Sequence, residues 1–216
     1  MNNMNNNFLI FRPFGPSILK VSIPAKLIED LNNYVDEIIK NKKKSQALDH
    51  GENLAGNVKQ EFIIEHEFAN KIGWVKFLAE SSIPWLQTMS KKKVTEFNIM
   101  QTWIVRQFKN EYNPLHVHSG HISGVGYLKV PSSFGNTFQK SKKSNMNGML
   151  SLVHGSKMFL SDTTFNIEPK VGDFYFFPNY LMHVVYPFFD SDEERRSVSF
   201  NAKVDNEVYT HAYGEE

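Results

Sequence analysis

The stretch Asn113-Pro114-Leu115-His116-Val117-His118-Ser119-Gly120-His121 holds three of the chain's 8 histidines. His116 and His118 are two apart, so on a strand or an extended rim both side chains point to one side and can place two nitrogens on one ion. His121 lies across a glycine turn and is the weaker ligand candidate. A second cluster, Gly172-Asp173-Phe174-Tyr175-Phe176-Phe177-Pro178, reads as a turn into a buried strand, with Asp173 shaping the turn and His183 opening the next strand. A histidine inside so apolar a run needs a polar partner, and either a backbone carbonyl or a metal serves. Further on, Arg195-Arg196-Ser197-Val198-Ser199-Phe200-Asn201 would, as a strand, put Arg195, Ser197, Ser199 and Asn201 on one face and Arg196, Val198 and Phe200 on the other. A buried arginine with a hydroxyl two residues on makes a carboxylate clamp, because the guanidinium binds two oxygens in one plane and the hydroxyl adds a third hydrogen bond. The alternative is an ordinary surface arginine pair on an edge strand, and a register slip of one residue would put Arg196 in the clamp.

The elements that must hold these residues fall into two halves. Residues 1–7 are Asn-rich and read as a frayed terminus, and Phe8 to Val21 as an edge strand interrupted at Pro13 and Pro16. From Pro24, Leu27, Ile28, Leu31, Tyr34, Val35, Ile38 and Ile39 recur at helical spacing up to Lys40 and the Lys42–Lys44 run. A second helix is expected between Glu67 and Met89, kinked or divided at Pro84. After about residue 94 the period changes to 2 and β-branched and aromatic residues dominate. One face of the first strand would carry Phe97, Ile99, Gln101, Trp103 and Val105. Further strands are expected at Ile122–Val130, Met149–Val153, Met158–Leu160, Phe174–Phe177, Met182–Tyr186 and Ser197–Val204, a spacing that suits an antiparallel sandwich or barrel. The whole chain, 1–216, reads as one domain with an N-terminal part to residue 93, a β core over 94–205 and a tail over 206–216.

Composition narrows the chemistry further. Lys+Arg 24 against Asp+Glu 23 gives a net charge of +1, so neither duplex nucleic acid nor an anionic membrane is an expected partner. The absence of cysteine removes disulfides, thiolate metal sites and a cysteine nucleophile, leaving histidine and carboxylate as the strong metal ligands. Gly-rich phosphate loops, serine-nucleophile motifs and an HExxH motif are missing. His66, His154 and His211 have no partner at ligand spacing, and Glu193-Glu194 reads as a solvated turn. The aromatic residues Trp103, Phe174, Tyr175 and Phe176 read as apolar layers of the core.

The order HxH, distal histidine, Arg-x-Ser resembles the non-haem Fe(II), 2-oxoglutarate-dependent oxygenases. Within them, the chain is most similar to the 2-oxoglutarate/Fe(II) oxygenase family of phages and marine bacteria. The matching segments are His116-Val117-His118, Ser123-Gly124-Val125-Gly126-Tyr127-Leu128, Phe177-Pro178-Asn179, His183 and Arg195 to Asn201. The resemblance implies a mainly β double-stranded β-helix, or jelly roll, with the N-terminal helices packed against the sheet. It implies that His116 and His183 are iron ligands, that His118 stands where the superfamily has Asp or Glu, and that Arg195, Ser197 and Tyr127 take the distal carboxylate of 2-oxoglutarate. The implied activity consumes O2 and 2-oxoglutarate, releases succinate and CO2, and hydroxylates a small molecule or a peptide side chain in the cytoplasm, that of the host if the chain is phage-encoded. Two alternatives stay open: a three-histidine cupin-like dioxygenase that uses no 2-oxoglutarate, and a non-catalytic jelly-roll binding protein. The N-terminal helices either brace the sheet or form a homodimer interface, since both uses demand the same apolar stripe.

Overall fold

The computed structural model describes residues 8–11, 15–139 and 141–210; the Asn-rich residues 1–7 and His211 lie outside the described residues. The chain begins with β1 (Phe8–Phe11), β2 (Ile18–Ser22), α1 (Ala25–Lys40), α2 (Lys42–Leu48), β3 (Gln60–Ile63), α3 (His66–Lys71) and α4 (Trp74–Ser90). It continues with β4 (Phe97–Gln107), β5 (Asn113–His116), β6 (Ile122–Lys129), β7 (Leu150–Val153), β8 (Thr164–Ile167), β9 (Asp173–Pro178), β10 (Met182–Val185), β11 (Arg195–Val204) and a short α5 (Asn206–Thr210). The strands form a seven-stranded sheet, β1-β2-β9-β6-β11-β4-β3, and a four-stranded sheet, β5-β10-β7-β8. Every strand pairing is antiparallel, and the two sheets make the jelly roll that the resemblance implies.

Period-2 alternation distributes the apolar residues into two layers. Phe174 and Phe176 of β9, Val198 and Phe200 of β11 and Ile104 of β4 pack on Leu31, Val35 and Ile38 of α1 and on Trp74 and Leu78 of α4. The interleaved Tyr175 and Phe177 instead join Tyr127, Leu150, Leu152, Ile167 and Val185 between the sheets. The aromatic run of β9 thus serves both layers, and each fully buried ring contributes about 1.5–3 kcal/mol. The apolar stripe of α1 is spent on bracing the larger sheet.

Four sequence expectations are corrected. The helix after Glu67 is divided at Gly73, whose φ of 83° is left-handed, while α4 runs unbroken through Pro84. The Lys42–Lys44 run opens a second helix, because the Asn41 side chain caps the Lys44 N–H at 3.1 Å. Met158–Leu160 is an exposed turn closed by a Met158–Ser161 bridge, and the strand lies further on at β8. The uniform face expected for β4 is also broken. A register shift opposite Asn201 and Ala202 lets Phe97 and Ile99 pack with the helical layer, while Trp103 and Val105 face between the sheets.

Strand β6 passes beneath the aromatic layer on bare backbone. A Cβ at Gly126 would stand 2.4 Å from Phe174 Cδ2 and 2.8 Å from Ile23 Cδ1. Gly126→Ala is therefore expected to cost about 2 kcal/mol and to lower Tm by about 4–8 °C, read by thermal denaturation.

Candidate metal centre and carboxylate pocket

Antiparallel pairing of β5 with β10 sets His116 directly opposite His183. His118 follows β5, and its backbone is held in both directions by Asn179: the His118 N–H donates to the Asn179 carbonyl at 3.0 Å, and Asn179 Nδ2 donates to the His118 carbonyl at 3.2 Å. The three imidazoles meet with ring centroids 4.2–4.9 Å apart, and one nitrogen from each lies within 4.8 Å of the others.

The hydrogen bonds fix which nitrogens are free. His116 Nδ1 donates to the Pro114 carbonyl at 2.7 Å and His183 Nδ1 to the Leu181 carbonyl at 2.9 Å. A carbonyl only accepts, so both rings carry their proton on Nδ1 and present a bare Nε2. Burial lowers the His116 pKa; burial, then the charges of His183 and His116, push His118 down to about 3; burial, then His116, push His183 down to about 4. All three rings are neutral at neutral pH, the form that ligates a metal. His118 Nε2 and His183 Nε2 are 3.0 Å apart. Two nitrogens each about 2.1 Å from one ion, at right angles, stand about 3.0 Å apart, so the pair fits a first-row divalent ion.

The same cavity runs from the histidines past Trp103, Val125 and Phe177 to Ser199, Ser197 and Arg195 on β11. Arg195 is 2% exposed, and its Nη1 donates to Gln107 Oε1. Its Nε and Nη2, and the hydroxyl of fully buried Tyr127, have no hydrogen-bond partner. The guanidinium carbon stands 5.1 Å over the Tyr127 ring. Two orphaned guanidinium nitrogens thus stand at the end of the cavity, with Tyr127 packed against the guanidinium, and leaving such groups dry and unpaired costs about 1–3 kcal/mol each.

Arg196 lies on the other face. It binds Glu194 through Nε and Nη2, Asp36 at 2.7 Å and Asn32 at 3.0 Å. Glu194, expected as a solvated turn residue, instead bridges Arg196 and Arg106. Burial alone would raise its carboxyl, but the hydrogen bonds from the two arginines outweigh that and hold it down to about 2. His121 is turned away from the cluster; it accepts from the Val204 N–H at 3.1 Å and stacks on Tyr209 at 4.0 Å.

Sequence reasoning missed two residues. Gln107 holds Arg195 and is itself anchored to the Tyr186 carbonyl at 3.4 Å, and its parity with Trp103 and Val105 on β4 was a usable signal. The other is Asn179, whose clamp on His118 no local pattern announces.

Residues 101–201 match the sequence model of a family described as "Putative 2OG-Fe(II) oxygenase". No curated protein sequence matches the chain. Among solved structures, a Pseudomonas putida prolyl-4-hydroxylase aligns with TM-score 0.53 and 15% identity over 91% of this chain and 93% of its own. A Trichoplax adhaerens prolyl hydroxylase, solved with a peptide fragment of hypoxia inducible factor, aligns with TM-score 0.55 and 12% identity over 98% and 89%. HygX from Streptomyces hygroscopicus, solved with nickel and 2-oxoglutarate bound, aligns with TM-score 0.51 and 11% identity over 90% and 81%. At these identities the likeness is one of fold.

Because Arg196 is bound on the helical side, Arg196→Met should lower stability by about 1 kcal/mol, since Glu194 keeps Arg106 and half-exposed Asp36 keeps Lys129 while both lose the buried guanidinium, read as a drop in Tm. Divalent-metal affinity at the histidines should be unchanged, as measured by calorimetry. With its strand order, its three-histidine cluster and the match over residues 101–201, the β core of this chain is similar to that of the 2-oxoglutarate/Fe(II) oxygenases.

Proposed function

We propose that the chain hydroxylates its substrate with O2 and 2-oxoglutarate, with His116, His118 and His183 holding Fe(II) and with Arg195, Ser197 and Tyr127 taking the far carboxylate of the 2-oxo acid. Bound there, iron and 2-oxoglutarate supply O2 activation and oxidative decarboxylation to succinate and CO2. The observation that carries the reading is the pair of orphaned guanidinium nitrogens of Arg195 in the cavity that the histidines open. A dicarboxylate reaching from the histidines to Arg195 satisfies those donors and balances the charge that three neutral imidazoles leave on a divalent ion.

The protein's own contributions follow from the geometry. The Pro114 and Leu181 carbonyls fix two rings with Nε2 toward the ion. Gln107 holds one arm of the Arg195 guanidinium at the cavity end. Trp103, Val125, Phe177 and Val185 line the walls and exclude water from the reacting centre. A three-histidine dioxygenase using no 2-oxoglutarate would leave the buried Arg195 with no anionic partner, and a non-catalytic binding protein would have no use for three neutral, convergent nitrogens.

The substrate reaches the site over an apolar rim, with Leu115, Val117 and Met182 all about half exposed beside the histidines. That supports a small molecule or peptide segment with apolar surface. A cytoplasmic setting belongs to the same proposal; among the described residues no helix is long and apolar enough to cross a membrane.

Uncoupled turnover tests the reading. With Fe(II) and O2, the protein is expected to convert 2-oxoglutarate to succinate even without a prime substrate. Arg195→Ala should raise the 2-oxoglutarate concentration needed for half-maximal rate by about 100-fold, which is about 2.7 kcal/mol for lost charge-assisted hydrogen bonds. Succinate formation by wild type that is unaffected by Arg195→Ala would remove the clamp from the proposal.

A further inference from the structure

Outside the histidine cavity, one buried charged side chain among the described residues has no hydrogen-bond partner for its carboxylate. Glu61 of β3 is 1% exposed, and neither carboxylate oxygen accepts a hydrogen bond. It lies under the segment 49–58, a strap that leaves α2 through a Gly51–Asn53 turn and crosses the open edge of β3. The strap is sewn down at both ends: Asp49 bridges Phe62, and the Asn57 N–H donates to the Tyr112 carbonyl at 2.8 Å, one residue before β5.

The strap is shaped around the carboxylate. A Cβ at Gly56 would stand 3.0 Å and 3.1 Å from the two Glu61 oxygens. A Cβ at Gly51 would touch Asp49 Oδ1 at 3.4 Å and Glu61 Oε2 at 3.7 Å, so one point of bare backbone lies between two carboxylates. Asp49 is the charged group that faces Glu61 from the strap. On the neighbouring strand, Arg106 is turned to the opposite face, where it holds Gln60 and Glu194. A dry carboxylate beside a second one is costly unless a proton or a cation neutralises it.

We propose that Asp49 and Glu61 form a site for a hard divalent cation, Ca2+ or Mg2+, separate from the histidine centre. Carboxylate oxygens are the ligands such ions take, with backbone carbonyls and water completing the shell, and two carboxylates suit a site of modest affinity. Burial, and then the charge of Asp49, push the Glu61 carboxyl up to about 7, so a cation would be displacing a proton that is already loosely held near neutral pH. The ion would pin the strap to β3. Because Asn57 is tied to Tyr112, it would also brace the approach to β5, which carries His116.

The test uses the full chain stripped of metal, with Tm followed against CaCl2 and MgCl2 at constant ionic strength. Calcium does not compete for three imidazoles, so it reads the carboxylate site alone. Wild type should rise steadily with the logarithm of concentration, by about 5 °C once the ion is at roughly 100 times its Kd. Glu61→Gln should lose the response. Asp49→Asn, at an exposed position, and Gly51→Ala, which fills the point between the carboxylates, should weaken it without threatening the fold. His116→Ala should keep it in full. Equal shifts in wild type and Glu61→Gln would overturn the site.

So would a wild type that ignores both ions up to roughly 10 mM. A proton alone then neutralises Glu61, and its signature is specific. The folded carboxyl holds its proton to about 7 while the unfolded one releases it near 4.5, so stability falls as pH rises between those values, and Glu61→Gln abolishes that fall.

Discussion

Strand β11 is buried on both faces, from Arg195 through Ala202, and that constraint organises the molecule. A strand sandwiched between β4 and β6, with helices on one side and the smaller sheet on the other, cannot slip by one residue without exchanging its faces. Val198 and Phe200 lock the helical side. With them fixed, Arg195, Ser197 and Ser199 must face the cavity, and Arg196 must find anions on the opposite face, where Glu194 and Asp36 meet it. Two adjacent arginines thus have unrelated roles.

The cavity face of β11 carries a buried guanidinium with no carboxylate beside it among its hydrogen-bond partners. Arg195 is bound by a neutral amide, Gln107, and its ring neighbour Tyr127 brings no charge. At the other end, three imidazoles made neutral by burial converge. On the proposed function, a cavity with a buried cation at one end and a neutral histidine trio at the other would be completed by a divalent ion and a dianion together, each reducing the desolvation cost of the other. Under that proposal, the mutual dependence would let a neutral His118 serve in the place where the resemblance implies a carboxylate.

Much of this was legible in the sequence. The alternation of Arg195 to Asn201 gave the faces of β11 correctly because burial on both sides enforces a strict period of 2. The His-x-His spacing placed two ligand candidates on one side, since an extended rim has the same period. What stayed hidden depended on long-range pairing. Gln107 reaches Arg195 only because β4 lies beside β11, and the buried Glu61 looks in sequence like any polar residue of a short edge strand. Glu194 looked solvated because its two arginine partners come from its own strand end and from β4. The helix expected to be kinked or divided at Pro84 is divided instead at Gly73, whose left-handed φ is not helical, and α4 continues through Pro84.

The measurement that bears most directly on the joint site is an anaerobic titration of the metal-free protein with Fe(II) and then 2-oxoglutarate, followed by visible absorption. A weak charge-transfer band that needs both additions, vanishes in His183→Ala and weakens in His118→Ala is the expected result. Iron binding with no band on adding 2-oxoglutarate would contradict a shared site, and would leave the histidine trio and Arg195 as two separate features of one cavity.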